Sequence, residues 1–321
     1  QKITVIVNMK TNDLENQYNK AINDIDEIVK MINDTTPVSK LTAYKDGEFK
    51  SNFTEEEYAD TVNKTKEYIF DGDIFQAVIS RRFETKYEGS LLNAYRVLRV
   101  TNPSPYMVFM KIGKNEIIST SPETLVRYQN GRMTTFPIAG SRPRGKTEEE
   151  DIALEKDLLQ DEKELSEHNM LVDLGRNDIG KISKFNSVTV TEYMKVLRYS
   201  KIMHICSEVQ SDALDTVDSF DAIEAVLPAG TLSGAPKVRA CEIIEELEKC
   251  PRGVYGGAIG YIDFNGNMDT CIAIRMASKI KDKVYVQAGG GIVADSIPHN
   301  EYMESYNKAL AVMNAIKNAG E

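Results

Sequence analysis

The dipeptide Asn130–Gly131 joins two segments of alternating apolar and polar residues, TLVRYQ (124–129) and RMTTFPI (132–138). Both residues of a two-residue hairpin turn favour positive φ, which Asn and Gly adopt most easily, so this pair is a strong hairpin signal. A hairpin makes its two strands antiparallel neighbours in one sheet. Similar short alternating segments recur along the chain, so we expect it to fold around antiparallel sheets.

Helices are predicted between these strands. Thr54 and Thr147 each precede a glutamate by three residues, the spacing of a capping box, and the second helical stretch is expected to break before Leu174. Further helices are predicted around residues 18–29 and at 236–249 and 300–317. Further strands are predicted at 74–83, 106–112, 116–120, 187–197, 199–210, 257–264, 269–280 and 283–289. Together these elements predict an α+β fold with mostly antiparallel sheets.

Composition excludes several classes of protein. The chain has 321 residues, 41% of them hydrophobic, with a net charge of −10 and a pI near 5.1. Such an acidic chain is not expected to bind nucleic acid or an anionic membrane surface. Its apolar runs are too short for a membrane span. Because QKITVIVNMK lacks both an initiator Met and signal-peptide features, we expect the chain to begin inside a longer protein.

The four cysteines show no CxxC pair, and the chain has only three histidines. A structural zinc site is therefore not expected, and free thiols in a reducing cytoplasm are the simplest interpretation.

Two segments carry a pair of glutamates spaced three residues apart. Glu164 and Glu167 share a predicted helix face with His168, and Glu301 and Glu304 lie in the first turn of the last helix. Each pair has an ordinary explanation, because acidic side chains are usually solvated and favour helix N-termini. Glu304 and Lys308 are also spaced for an i, i+4 ion pair. Carboxylates of this kind also hold Mg²⁺, but spacing alone cannot bring the two helices together.

Two further segments are typical of anion binding. In LPAGTLSGAPK (227–237), a loop of small residues runs into a helix near Pro236, with Lys237 adding charge. Gly289–Gly290–Gly291 ends a predicted strand, where backbone N–H groups can approach a ligand. A flexible surface loop and tight strand packing, respectively, explain these segments equally well. Neither the GK[ST] of a P-loop nor a GxGxxG spacing is present.

A set of motifs in fixed order covers nearly all of the chain from residue 54 onward. It resembles the chorismate-utilising enzymes, and most closely the large, synthase component of anthranilate synthases. This resemblance implies a β-sandwich core flanked by helices, a catalytic domain at 54–321 and an N-terminal remnant with a connecting helix at 1–53. The motifs are NPSPYM (102–107), SPE (121–123), PIAGSRPRG (137–145), DEKELSEH (161–168), RNDIG (176–180), MHICSEV (203–209), AGTLSGAPK (229–237), GVYGGAIGYIDF (253–264) and AGGGIVADSIPHNEYMES (288–305).

The resemblance implies Mg²⁺ as cofactor and chorismate as substrate. Glu167 and Glu304 match direct metal ligands, and Glu164 and Glu301 match residues that hold metal-bound water. Such an ion both binds a substrate carboxylate and withdraws electrons from the ring. Substrate-binding positions are matched by Tyr255, Arg275, Gly289, Gly291, Gly140 and Lys237.

The resemblance also implies the reaction, in which ammonia adds at ring C2, the C4 hydroxyl leaves and pyruvate is then eliminated. Glu123 matches the general acid for the departing hydroxyl, and His204 and Thr231 match positions that line the ring. Members of the family that add water carry a lysine where this chain has Gln76. Aminodeoxychorismate (para-aminobenzoate) synthases, the alternative function, carry a lysine where this chain has Ala139. Both positions favour anthranilate synthesis.

The family draws its ammonia from a glutamine amidotransferase subunit or domain, and none of the cysteines has the setting of a glutaminase nucleophile. The resemblance therefore implies a cytoplasmic hetero-oligomer that acts in tryptophan biosynthesis. It also implies a tryptophan feedback site, of which this chain carries the core part and lacks the N-terminal motif. The matching residues are Pro105, Tyr106, Met107 and Tyr261.

Overall fold

The computed structural model describes residues 2–36, 44–199 and 202–320, without the side chains of 44–47. The chain forms two compact units, Gln1–Leu41 and Thr42–Glu321. In the smaller unit, helix α1 spans Leu14–Asn33, which confirms the helix predicted around residues 18–29. The boundary at residues 53 and 54 stays a prediction, and strand β1, just before it, pairs within the larger unit.

The larger unit contains the remaining helices. Thr54 starts α2 with a complete capping box, and Thr147 accepts a hydrogen bond from the Glu150 N–H at the start of α4. The helical stretch after Thr147 breaks between α4 and α5, before Leu174, as predicted. No described helix is both long and apolar enough to cross a bilayer. The helices are α2 (Glu55–Phe70), α3 (Leu92–Thr101), α4 (Glu148–Leu158), α5 (Glu162–Gly180), α6 (Ser219–Val226), α7 (Lys237–Leu247) and α8 (Pro298–Lys317), with a 3-10 turn at Gly230–Leu232.

The first of two seven-stranded antiparallel sheets has the order β1-β2-β14-β13-β4-β3. Strand β10 pairs with the first two residues of β2. The longest ladder of this sheet joins β2 to β14 over ten residue pairs and includes the three glycines 289–291, just before its last pair at Ile292. The strands are β1 (Tyr44–Ser51), β2 (Gln76–Glu88), β3 (Tyr106–Ile112), β4 (Asn115–Ser121), β10 (Gly234–Ala235), β13 (Met276–Ile280) and β14 (Lys283–Ile292).

The second sheet has the order β11-β12-β5-β6-β9-β7, with β8 also paired to β9. The predicted hairpin joins β5 to β6, and Asn130 and Gly131 have φ of 51° and 78°. The strands are β5 (Thr124–Gln129), β6 (Arg132–Thr135), β7 (Ile138–Pro143), β8 (Thr189–Arg198), β9 (Ile202–Asp212), β11 (Ala258–Ile262) and β12 (Met268–Ile272).

Two of the passages of the chain between the sheets lie at neighbouring points. Ser121–Pro122–Glu123 joins β4 of the first sheet to β5 of the second, and 273–275 joins β12 back to β13. Two backbone hydrogen bonds tie the crossings together, from the Ile272 N–H to the Glu123 carbonyl (3.0 Å) and from the Thr120 N–H to the Arg275 carbonyl (3.1 Å). The two crossings therefore form one rigid seam between the sheets.

Apolar cores lie between the sheets and under the helices. Met276 of the first sheet shares a buried cluster with Leu125, Met133 and Ile272 of the second, which confirms the sandwich. Helices α3 and α8 cover the first sheet through a second cluster that includes Leu98. The predicted α+β class is correct, and the packing fixes both sheets against helices.

The structure divides or adds elements in several places. The predicted strands 132–138 and 269–280 are each two strands, and the predicted strand 199–210 includes Ser200 and Lys201, which lie outside the described residues. Helices α3 and α6 and strand β1 had no prediction. The division within 269–280 occurs at Arg275, whose φ of 48° cannot continue a strand.

Candidate active site

A cleft of about 760 Å³ lies in the larger unit, within the range of roughly 300–1,000 Å³ that small-molecule sites occupy. Three elements reach it in particular, namely the seam between the sheets, the glycine end of β14 and the facing parts of α5 and α8. The structure thus brings most of the predicted site residues together. Those lining the cleft are Gln76, Glu123, Gly140, Glu164, Glu167, His204, Thr231, Tyr255, Arg275, Gly289, Gly291, Glu301 and Glu304.

Glu123 occupies the first crossing and faces the interior of the site. Burial raises the pKa of its carboxyl to about 7, and only a hydrogen bond from Thr231 and the charge of Lys308 oppose this shift. By distance and angle, however, the Thr231 hydroxyl has no hydrogen-bond partner among the described residues. We therefore attribute the raised pKa to burial. A carboxyl with a pKa near 7 is suited to donate a proton at neutral pH.

Arg275 occupies the second crossing in a left-handed conformation that is strained for an arginine, and such strain often marks a functional position. Its guanidinium donates a hydrogen bond to the Lys308 carbonyl (3.1 Å), and no carboxylate of the described residues forms an ion pair with it. Burial lowers the pKa of Arg275 while the charges of Tyr255 and Glu304 raise it. A half-buried guanidinium without an ion pair is a ready partner for a carboxylate ligand.

Tyr255 lies beside Arg275 with only 7% of its surface exposed, and burial raises its pKa to about 12. The phenol therefore stays neutral and can donate a hydrogen bond to an anion. Behind it, the Arg252 guanidinium lies 5.8 Å from the centre of the ring.

His204 is held by a kink in β7. Gly140 has a φ of 72° at a break in the β7–β9 register, and its carbonyl lies 3.1 Å from His204 Nδ1. Because a carbonyl can only accept, Nδ1 carries the proton. Burial lowers the pKa of His204, and the charge of Arg275 lowers it further. The neutral ring thus leaves Nε2 as a proton acceptor.

The three glycines of β14 serve three different purposes. A Cβ atom at Gly289 would lie 2.4 Å from the Ile79 carbonyl oxygen, so this glycine allows β2 to approach. At Gly291 a Cβ would lie 2.6 Å from the Gln76 amide nitrogen, and at Gly290 it would lie 2.8 Å from Glu301 Oε2. Close strand packing therefore explains Gly289, whereas the other two leave room for site side chains.

The four predicted metal-binding glutamates line the cleft from α5 and α8. Burial is the main cause that raises the pKa of Glu164, Glu167 and Glu301, and neighbouring carboxylates raise it further. Glu301 Oε2 is buried without a hydrogen-bond partner. Carboxylates that repel one another in a partly desolvated place favour a cation between them.

Among the described residues, no three His, Cys, Asp or Glu side chains already form a closed metal cluster. Glu304 instead pairs with Lys308 (2.6 Å), the i, i+4 ion pair that its spacing predicts. The unpaired Glu301 oxygen and the all-oxygen donor set nevertheless fit Mg²⁺, which keeps several waters and needs few protein ligands. Lys308 also donates to the Gly289 carbonyl (3.1 Å), so Glu304 is not its only partner.

Lys237 is the one predicted substrate-binding residue that does not line the cleft. Its ammonium donates to Asp178 Oδ2 (2.7 Å) and to the Val226 carbonyl (3.0 Å), and only 13% of the side chain is exposed. It ties the start of α7 to the ends of α5 and α6, because a buried carboxylate needs a paired charge.

Two of the four predicted feedback residues, Tyr106 and Tyr261, are connected through Asp269 near the edge of the second sheet. The Tyr106 hydroxyl donates to Asp269 Oδ1 (2.7 Å), and Asp269 pairs in register with Tyr261 on the edge strand β11. Tyr261 is 65% exposed. Met107 accepts a weak hydrogen bond from the Ser104 N–H, while Pro105 alone of the four lines the large cleft.

Two residues near the site had no predicted role in it. Lys308 lines the cleft, although its spacing from Glu304 was visible in the sequence. Arg252 braces the site from behind and pairs with Glu248, again at i, i+4 spacing. In each case the spacing predicts an ion pair but cannot show that the pair lies beside a ligand cleft.

Comparison with known proteins is consistent with this geometry. Residues 1–314 match the chorismate-binding enzyme family. The chain is 53% identical over 329 residues to anthranilate synthase component 1 of Acetivibrio thermocellus, covering 100% of this chain and 67% of that protein. It is 51% identical over 324 residues to the Aquifex aeolicus protein of the same name, covering 100% and 66%. The chain thus spans about two thirds of the length of these relatives.

Among solved structures, the chain is similar to the crystal structure of anthranilate synthase component I from Streptococcus pneumoniae. The TM-score is 0.85 at 44% sequence identity, and the match covers 95% of this chain and 68% of that one. The seam, the cleft and these similarities lead to one assignment. The chain belongs to the chorismate-binding enzyme family, in its anthranilate synthase component I branch.

Proposed function

We propose that this chain converts chorismate and ammonia into anthranilate, pyruvate and water, the first committed step of tryptophan biosynthesis. One observation carries the proposal. A buried carboxyl with a pKa of about 7 and an arginine without an ion pair occupy adjacent crossings, and both line the cleft that the acidic pairs of α5 and α8 also line. Such a site supplies a proton donor, an anion partner and cation ligands for a dianionic substrate.

Binding uses the neutral phenol and the guanidinium. Tyr255 and Arg275 hold the enolpyruvyl carboxylate of chorismate, and Gly289 and Gly291 line the cleft beside it. Gly140 and Thr231 border the ring. Because both Tyr255 and Arg275 are largely buried, each hydrogen bond to the carboxylate forms away from water and gains strength.

In the first chemical stage, Glu123 gives its proton to the C4 oxygen as the C4–O bond breaks, and water leaves. Ammonia bonds to C2 and then loses a proton. Gln76, 5% exposed and directed at the cleft, cannot act as the base that water addition needs. In the second stage, His204 Nε2 accepts the C2 proton, the C3–O bond breaks, and the departing enolpyruvate becomes pyruvate on protonation.

We assign a Mg²⁺ ion to Glu167 and Glu304, with Glu164 and Glu301 holding its water molecules. When bound, the ion neutralises a ring carboxylate and withdraws electrons from the ring. The unpartnered Glu301 oxygen supports this assignment.

A partner that releases ammonia from glutamine completes the proposal. The relatives are named as a component 1, which implies a second component. Burial raises the pKa of all four thiols, to about 12 at Cys206 and about 11 at Cys271, so none of them is an activated thiolate. The free thiols also favour a reducing, cytoplasmic compartment. We propose a hetero-oligomer in which tryptophan binds near Tyr106 and Tyr261.

The test is an assay of the full-length protein with chorismate, Mg²⁺ and excess ammonium salt, followed by anthranilate fluorescence. We expect anthranilate and pyruvate in equal amounts. Formation of 4-amino-4-deoxychorismate instead would assign the chain to para-aminobenzoate synthesis, and no turnover would leave only a binding protein. Glu304→Gln is expected to remove the Mg²⁺ dependence along with the activity, while Glu162→Gln, which lies outside the cleft on α5, the helix of Glu167, is the control.

A further inference from the structure

A second, smaller cavity of about 50 Å³ lies behind the wall of the large cleft and is partly open to solvent. Glu123, Leu171 and Thr231 line both cavities, so they form the wall between them. A water molecule needs at least about 10–15 Å³ of such space, so this cavity has room for a short file of waters.

The lining of the small cavity is unusual for so small a space. Three threonines and two acidic residues border it among leucine, valine and proline residues. Hydroxyls and carboxylates can order a file of waters through which a proton passes. The polar residues are Thr124, Thr135, Thr231, Glu123 and Asp178.

The proposed reaction makes a demand that this cavity meets. Glu123 loses one proton to the C4 oxygen in each turnover and must regain it before the next. In the proposed function chorismate and then its products occupy the cleft, so recovery of the proton during turnover needs a route that does not pass through them. Only the small cavity then remains beside the carboxyl, within the described part of the chain.

We propose that the small cavity is a water-filled path through which Glu123 recovers its proton from solvent. The inference rests on the proposed function. In this step the Glu123 carboxylate takes a proton from a cavity water, and that water takes one from the next water toward solvent. The net change is one proton from solvent, which balances the proton that the added ammonia releases.

None of the ammonium, thiol and hydroxyl groups that face Glu123 supplies the proton instead. Lys308 on α8 is paired with Glu304 and the Gly289 carbonyl. Cys206 on β9 has a pKa raised to about 12, so its thiol does not give up a proton readily. Thr231 is a hydroxyl, which can relay a proton but not supply one.

Asp178 is the other acidic residue that lines the cavity. It is 6% exposed and accepts from Lys237 (2.7 Å) and from the exposed Lys181 (3.2 Å). Both of its charge partners are ammonium groups, and we assign its carboxyl group the role of ordering the waters at its side of the path. This gives the RNDIG segment a role in the reaction beside its role in packing.

Gly175 on α5 allows the path to be closed without touching either carboxyl group. A Cβ there would lie 3.3 Å from Thr135 Cγ2 and 3.5 Å from Pro137 Cγ, both of which belong to lining residues. Gly175→Val therefore places methyl groups in the cavity. Gly180→Val is the matched control, because a Cβ at the end of the same helix meets only Val188 Cγ2, at 3.9 Å.

The experiment compares the first turnover with later turnovers by rapid mixing of each full-length variant with chorismate, Mg²⁺ and ammonium salt. The resting enzyme is held below pH 7, where Glu123 is protonated, so Gly175→Val should complete the first turnover at the rate of Gly180→Val. Later turnovers should slow by about tenfold, since proton transfer by a general acid contributes roughly 10²–10⁴-fold to rate. Thr135→Val, which removes one hydroxyl at constant shape, should show a weaker form of the same burst.

Three results would overturn the proposal. Equal steady-state rates in both Gly variants would show that the cavity carries no needed proton. A slower first turnover in Gly175→Val would indicate that the substitution distorts the site. If excess ammonium restored the first-turnover rate, the cavity would instead carry ammonia. If Gly175→Val does not fold, Thr135→Val provides the test. A Thr135→Val variant whose later turnovers are as fast as its first would overturn the proposal. No anthranilate from the wild type or the control would instead overturn the proposed function.

Discussion

Burial sets the protonation state of Glu123, because the low polarity around the carboxyl disfavours its charged form. The same carboxyl faces the cleft and the small cavity, so its proton has both an acceptor in front and a source behind. A neutral carboxyl at this position is therefore a property of its surroundings rather than of its immediate partners.

The pH dependence of activity should follow this carboxyl. Glu123 donates only when protonated, so kcat/KM is expected to be high below pH 7 and to fall as pH rises through its pKa of about 7. The measurement is a pH profile at a fixed concentration of unprotonated ammonia. Glu123→Gln should lower kcat by roughly 10²–10⁴-fold and remove this limb of the profile. A limb that persists in the variant would assign it to another group.

The same raised pKa also makes the stability of the fold decrease as pH rises. Because the folded-state pKa lies above the value of 4.5 for a free glutamate, wild-type stability decreases as pH rises from about 4.5 through 7. Glu123→Gln should therefore raise the melting temperature at pH 8 and have little effect at pH 4. An unchanged melting temperature at pH 8 would contradict a buried, uncompensated charge.

At the scale of single elements, the kink in β7 places two site residues at once. Gly140 directs its carbonyl to His204, and its missing Cβ leaves room for Glu164, whose Oε2 would lie 3.1 Å from that Cβ. One residue without a side chain thus positions both the His204 ring and the Glu164 carboxylate, to which we assign the roles of proton acceptor and holder of metal-bound water.

Gly140→Ala should lower kcat below that of a matched control variant, while both variants should lose a similar free energy of unfolding. Gly131 provides the control, because its φ of 78° is close to the 72° of Gly140 while nothing lies within 4 Å of a Cβ there. Both alanine variants share a backbone penalty of about 1 kcal/mol. Urea unfolding should show similar losses, whereas only Gly140→Ala should lower kcat and weaken Mg²⁺ activation. Equal activity in the two variants would remove the role of Gly140.

The sequence predicted elements where local chemistry decides them. Asn130–Gly131 and the Thr54 capping box specify their turn and helix start without help from the rest of the chain. The sequence did not predict the divisions of 132–138 and 269–280 into two strands. In each case the two strands pair with different neighbours, and the periodicity of the residues carries no sign of that change. Helix α3 escaped for a similar reason, since its burial under the first sheet stabilises it.

The candidate site shows the same limit at the scale of the whole molecule. Motif resemblance supplied the glutamates and Arg275, but spacing could not show that α5 and α8 meet across one cleft. Lys237 matched a motif, yet its ammonium pairs with the buried Asp178 carboxylate, which lies outside the cleft. Arg252 was not singled out by any motif, and only the folded structure shows which groups it contacts.

Arg252 connects several parts of the molecule behind Tyr255. Its guanidinium donates to the Val78 carbonyl (2.7 Å), to the Leu232 carbonyl and to both oxygens of Glu248 (2.6 and 2.9 Å). Glu248 in turn accepts from the Ser80 N–H and hydroxyl. Strand β2, the Thr231 turn and the end of α7 therefore share one buried network.

Arg252→Met should destabilise the fold by roughly 3–5 kcal/mol, because it leaves the Glu248 carboxylate buried without its partner. Adding Glu248→Gln should recover part of that loss, since no buried charge then remains. Urea unfolding of the two single variants and the double variant measures the coupling. Additive losses would show that the pair acts independently.

The seam between the sheets also has a consequence for the order of folding. Glu123 and Arg275 are far apart in the chain, and each reaches its place only when strands of both sheets have paired. Contacts of such long sequence separation form late, because the chain must first lose the entropy of a large loop. During refolding, the ability to bind an anionic ligand should therefore return with the slowest structural phase, and a half-folded chain should hold helices and hairpins without a working site.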